Sequence, residues 1–159
     1  MNTSPPEAVS IAEILPPEAV VVPLRAESKQ ESIDMLIDLL AEHGHITDAN
    51  EMKHVVWERE NQRSTGIGEG LAIPHGKSNA ISRLVMALGI LEQPVDFGAI
   101  DDKPVKMVAL LLSPADKIAD HIQALGRISR LMNNESFRNT AYSSTSADQL
   151  LEEIKGRCE

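Results

Sequence analysis

Two apolar runs near the middle of the chain constrain its architecture most: RLVMALGIL (Arg83–Leu91) and VKMVALLL (Val105–Leu112). Runs without polar alternation mark central strands covered on both faces. Parallel neighbours would need a crossover of a dozen or more residues, usually built around a helix. The stretch between them, PVDFGAIDDKPV, is turn-rich and too short for such a helix, so the sheet is expected to mix parallel and antiparallel pairs.

Helical periodicities surround these strands. AVVVPLR (Ala19–Arg25) is β-branched and reads as a strand, with Pro23 marking an edge or a strand end. Ser28 and Glu31 have capping-box spacing, Ile33, Leu36, Ile37 and Leu40 follow at i, i+3, i+4, i+7, and Gly44 supplies a stop. A second helix is expected from Asp48, with Glu51 three residues on, to about Arg63; its apolar face begins Met52, Val55, Val56 and continues at Arg59, an arginine where a core residue belongs. GLAIP reads as a short strand delivering His75. A third helix is expected to open near Ser113-Pro114 and run to about Met132, with Ile118, His121, Ile122, Leu125, Ile128 and Met132 facing inward. A last helix covers about Ala147 to Ile154. The expected fold is α/β, a mixed parallel/antiparallel β-sheet flanked by helices in an α/β sandwich, with residues 1–8 a flexible N-terminus and 9–159 one domain.

Composition removes several classes of function. Aromatic residues make up only 3% of the 159, which opposes base-stacking platforms, and a net charge of −9 opposes nonspecific binding to nucleic acid or anionic lipid. The N-terminus lacks a basic segment followed by an apolar one, and no run approaches the ~20 apolar residues of a membrane span, so a cytoplasmic protein without membrane insertion is expected. The single cysteine, Cys158, reads as a solvated tail thiol and permits no disulfide framework. His43, His45 and His54 read as turn or surface residues rather than metal ligands, and no metal or cofactor is expected.

The segment STGIGEGLAIPHGKS (Ser64–Ser78) concentrates the chemistry, with Gly66, Gly68, Gly70 and Gly76 being four of the chain's nine glycines. Gly76-Lys77-Ser78 ends like a phosphate-binding P-loop, but the first glycine of that motif would fall at Leu71. The dinucleotide-binding fingerprint fails at the same leucine. Two readings stay open, a structural turn that contains a histidine and a loop built around a reactive imidazole. A neutral imidazole accepts and passes on a phosphoryl group when approach is open and amides or a cation stabilise the oxygens. Small glycines are expected to give that opening, and Arg59 is a suitable cation. The residues alone equally allow Arg59 to be in a surface ion pair with Glu58 or Glu60, His121 to be a satisfied core histidine, and His75 to be an exposed loop residue.

The run RENQRSTGIGEGLAIPHGK (Arg59–Lys77) resembles the active-site signature of the enzyme IIA domain of the phosphoenolpyruvate-dependent sugar phosphotransferase system (PTS), fructose/mannitol type, which includes the nitrogen-regulatory phosphocarriers. DKPVKMVALLLSP (Asp102–Pro114) with DHIQALGRISRLM (Asp120–Met132) is similar to that family's segment bearing a second histidine, and the likeness extends over roughly residues 9 to 155. The resemblance implies that His75 is phosphorylated by the carrier HPr and hands the group to a cysteine of a IIB domain. It implies that Arg59 and His121 assist as catalytic residues, and that Thr65, Gly66, Gly68 and Gly76 support the loop or the phosphate. For Thr65, a phosphate contact and a turn cap both stay open. The chain has no IIB-type cysteine loop and no membrane-spanning IIC segment, so the acceptor is expected on another polypeptide. The expected acceptor is a IIB cysteine in fructose/mannitol-like sugar uptake, with a target protein under nitrogen-regulatory-type control as the alternative.

Overall fold

The structure is a computed structural model that describes residues 9–157; the expected flexible N-terminus and Cys158 lie outside the described residues. Its central element is an antiparallel pair, β5 (Val85–Val95) and β6 (Val105–Pro114), in register from Val85 opposite Leu112 to Ile90 opposite Met107. Met86 to Leu88 and Met107 to Leu112 are buried without alternation, because helices cover both faces, as the two apolar runs predict.

Around this pair the sheet is mixed. β1 (Val20–Leu24) lies parallel to β5 at one edge, where Pro23 can lack its N–H without cost to the ladder. On the other side β6 carries two short parallel partners end to end, β3 (Leu71–Ala72) opposite Met107–Val108 and β4 (His75–Ser78) opposite Leu111–Pro114. β2 (Gly66–Gly68) closes that edge antiparallel to β3. The expected short strand GLAIP is present but shortened to Leu71–Ala72, and after Ile73 and Pro74 His75 opens a strand of its own.

Among the helices, α1 is a single turn (Ile11–Ile14), and α2 (Lys29–Glu42) and α3 (Ala49–Gln62) start where the capping pattern places them. Ser28 Oγ accepts from the Glu31 amide at 3.0 Å and Asp48 Oδ1 from the Glu51 amide at 3.0 Å. The third long helix departs from expectation. Ser113 and Pro114 are the last residues of β6, paired with Lys77 and Ser78, and α4 (Ile118–Met132) begins after a turn. Ladder pairing with β4 wins over the local preference of Ser-Pro for a helix start. The inward stripe of α4 is His121, Ala124, Ile128 and Met132, whereas Ile118 and Ile122 are 54% and 63% exposed. α5 (Glu135–Tyr142), absent from the sequence reading, buries only Phe137 and Ala141, too few positions to reveal a period, and α6 (Ala147–Arg157) covers β1.

Candidate functional site

His75 heads β4 and His121 lies in the first turns of α4, and their rings meet with centroids 5.4 Å apart and planes tilted by 56°. Strand alternation explains the approach. Gly76 faces α3, where an added Cβ would stand 2.8 Å from Val55 Cγ1 and 3.1 Å from Val56 Cγ2, so its neighbours His75 and Lys77 project to the opposite side. Gly76 is therefore the point at which α3 packs directly on the strand. Gly66 meets its own chain in the same way, 2.8 Å from Ala99 Cβ for an added Cβ, and of these four glycines Gly68 and Gly70 hold the positive φ of a turn. The expectation that these glycines open space for an incoming group is corrected at Gly66 and Gly76. Their lost side chains admit other parts of the protein.

Each histidine is held by its Nδ1. His75 Nδ1 is 2.8 Å from the carbonyl oxygen of Ile73, which only accepts, so Nδ1 carries the proton and Nε2 keeps its lone pair. Burial lowers the His75 pKa, and the charges of Arg59 and Lys77 push the same way against the Ile73 carbonyl and Glu60. His121 is 4% exposed and its Nδ1 lies 2.7 Å from Ser113 Oγ. Burial first, then the neighbouring His75 and Lys77, lower its pKa to about 4. Both shifts favour the neutral imidazole at pH 7. Lys77 acts on both and so stands as a second cation beside the pair, a place the failed P-loop count does not give it.

Arg59 is half-buried, and its Nη1 donates to the Arg63 carbonyl at 2.9 Å while its charge reaches His75. It does not continue the apolar stripe of α3. Met52, Val56 and Glu60 form that stripe at i, i+4, i+8, and Arg59 lies on its flank. Neither expected ion pair of Arg59 forms among the described residues, since Glu58 contacts His54 and Glu60 turns inward to Lys29.

Glu60 is the residue the sequence reading missed. It is 3% exposed, and its carboxylate accepts from the Thr65 amide at 2.9 Å, the Thr65 hydroxyl at 2.5 Å and Lys29 Nζ at 2.8 Å. Lys29 also donates to the Phe97 carbonyl, as does Ser64 Oγ. One buried acid thus fastens the start of the glycine loop to α2, α3 and the β5–β6 connection. Both donors of Thr65 are taken by Glu60, so in this structure its hydroxyl fastens the turn. The signal was present in the i+4 spacing from Val56, but the lysine that makes a buried carboxylate tolerable is 31 positions away in sequence.

A family model described as "Phosphoenolpyruvate-dependent sugar phosphotransferase system, EIIA 2" matches residues 13–156. The chain belongs to this EIIA family. Among its relatives, a fructose-specific EIIA component of Haloferax volcanii is 33% identical over 132 residues, 83% of this chain and 86% of that protein. A nitrogen regulatory protein of Bradyrhizobium diazoefficiens is 33% identical over 142 residues, 88% and 91% of the two chains. The structure of nitrogen regulatory protein IIA-Ntr from Neisseria meningitidis superposes with a TM-score of 0.83 at 28% identity, covering 91% of this chain and 98% of that one. The EIIA chain has, among its described residues, no helix long and apolar enough to cross a membrane and no group of three or more His, Cys, Asp or Glu side chains arranged for a metal.

Proposed function

We propose that the chain is a phosphocarrier that accepts a phosphoryl group on His75 Nε2 from the phosphohistidine of an HPr-type protein and passes it to a second protein. The observation that carries this reading is the pairing of the His75 Nε2 lone pair, freed by the Nδ1–H bond to Ile73, with a second neutral imidazole at 5.4 Å. In the loading step the Nε2 lone pair attacks phosphorus. The P–N bond to the donor breaks as the P–Nε2 bond forms, and the donor ring leaves with the electron pair. The proton of His75 stays on Nδ1 and donates to the Ile73 carbonyl, which stabilises the cationic ring that results. Unloading runs the same bonds in reverse onto an acceptor such as a IIB cysteine thiolate, forming P–S. Arg59 and Lys77 place positive charge near the phosphoryl oxygens, the main requirement of a loose transfer transition state.

Incubation with phosphoenolpyruvate, enzyme I and HPr is expected to give an acid-labile, alkali-stable phosphoprotein, and full incorporation by His75→Ala would defeat the assignment. His121→Ala and Arg59→Ala are expected to slow transfer by about 10²-fold, the usual cost of one preorganised donor or charge. A regulatory reading is favoured by the TM-score of 0.83 with a IIA-Ntr protein, and in it phosphorylation switches affinity for a target. Capture experiments comparing the phosphorylated protein with His75→Ala separate the two: a IIB domain marks uptake, and a phosphorylation-dependent regulator marks control.

A further inference from the structure

The two histidines differ in what faces Nδ1, and that difference decides which of them can act as a nucleophile. At His75 the partner is a carbonyl, which cannot donate. At His121 the partner is the hydroxyl of Ser113, which can donate or accept. Ser113 is 0% exposed, out of reach of water, and its hydroxyl has one hydrogen-bond partner among the described residues, His121 Nδ1. A buried hydroxyl whose proton points at nothing costs free energy, so the proton goes to the one acceptor in reach. His121 Nδ1 therefore accepts, and the ring's own proton sits on Nε2.

We infer that Ser113 is a positioning residue that locks His121 in the Nε2–H tautomer, making it a neutral hydrogen-bond donor to the phosphoryl group on His75 and not a rival phosphate acceptor. This rests on the phosphocarrier reading of His75. With Nδ1 occupied by Ser113 and Nε2 protonated, His121 presents no free lone pair. His75 presents one, so two adjacent neutral imidazoles become one nucleophile and one donor without any difference in charge. The position serves this purpose because Ser113 is the penultimate residue of β6, held by ladder pairing to Lys77 two residues from His75, while His121 arrives on the next element. The same backbone register thus sets both rings.

The test is a long-range proton–nitrogen NMR spectrum of the ¹⁵N-labelled, unphosphorylated protein, combined with transfer rates. In the wild type His121 is expected to show a protonated, pyrrole-like Nε2 and a pyridine-like Nδ1. Ser113→Ala is expected to shift His121 toward the other tautomer or a mixture, to slow loading from phospho-HPr about tenfold or more, the worth of a hydrogen bond to a charged group, and to allow phosphate on His121. Ser113→Thr keeps the hydroxyl and is expected to restore both tautomer and rate, which a role in packing alone would not do. A wild-type His121 protonated on Nδ1 overturns the inference even if Ser113→Ala does not fold, as does a Ser113→Ala protein with unchanged tautomer and rate. A wild type that takes no phosphoryl group while His121 shows the Nε2–H signature overturns the phosphocarrier reading instead.

Discussion

Replacing Glu60 by alanine tests whether one buried carboxylate organises the glycine loop. The side chain is fully buried and serves three donors, the Thr65 amide, the Thr65 hydroxyl and Lys29 Nζ, and the lysine keeps 23% of its side-chain surface exposed. Removing one partner of a buried ion pair costs about 3–5 kcal/mol, since the remaining charge and donors stay desolvated. The partial exposure of Lys29 and its second bond, to the Phe97 carbonyl, place Glu60→Ala at the lower end, about 3 kcal/mol. In a protein of this size that is a fall in melting temperature of about 6–12 °C. Glu60→Gln keeps an oxygen for the Thr65 amide and Lys29 and lets the Thr65 hydroxyl accept instead of donate, so about 1–2 kcal/mol is expected, the charge-assisted share of the bonds. Urea unfolding followed by circular dichroism measures both variants. A Glu60→Ala protein within about 1 kcal/mol of the wild type, with the Gln variant no better, would refute the assignment of loop anchoring to this network.

Acid should destabilise the protein through His121. Its folded pKa of about 4 lies below the ordinary 6.5, so the unfolded chain binds the proton more readily. The contribution is present above pH 6.5 and is lost as pH falls toward 4, on the order of 3 kcal/mol in full. Unfolding free energies at pH 7 and pH 4.5 check this, and His121→Gln should reduce the difference, leaving the share that comes from His75. Gly76→Ala places a Cβ 2.8 Å from Val55 Cγ1 and 3.3 Å from the backbone nitrogen of Val56, and is expected to cost about 1–3 kcal/mol by overpacking. Thermal melts of Gly76→Ala alone and with Val55→Ala should show partial recovery in the double variant.

Much of the framework was legible because its causes are local. Ser28, Glu31 and Asp48 cap their helices through side chains three residues apart, and the short turn-rich link between the two apolar runs forces β5 and β6 to pair antiparallel. What escaped depends on contacts distant in sequence. Ser113-Pro114 has every local mark of a helix start, yet pairing with Lys77 and Ser78 draws it into the sheet and turns the serine hydroxyl toward His121. The polar residue on the buried face of α3 is Glu60 instead of its neighbour Arg59, since Lys29 and Thr65 can satisfy a carboxylate there. Spacing also cannot tell a glycine that opens a cleft from one pressed against a helix, and Gly76 is the second kind because Val55 and Val56 arrive from α3.

Phosphorus–nitrogen NMR on the phosphorylated, ¹⁵N-histidine-labelled protein tests the central claim most directly, since it reports which ring nitrogen of which histidine bears the phosphoryl group. The Nδ1–H bond from His75 to the Ile73 carbonyl predicts coupling of phosphorus to His75 Nε2 alone, with Nδ1 still protonated. Coupling to His75 Nδ1, or phosphate on a different histidine in the wild type, would contradict it.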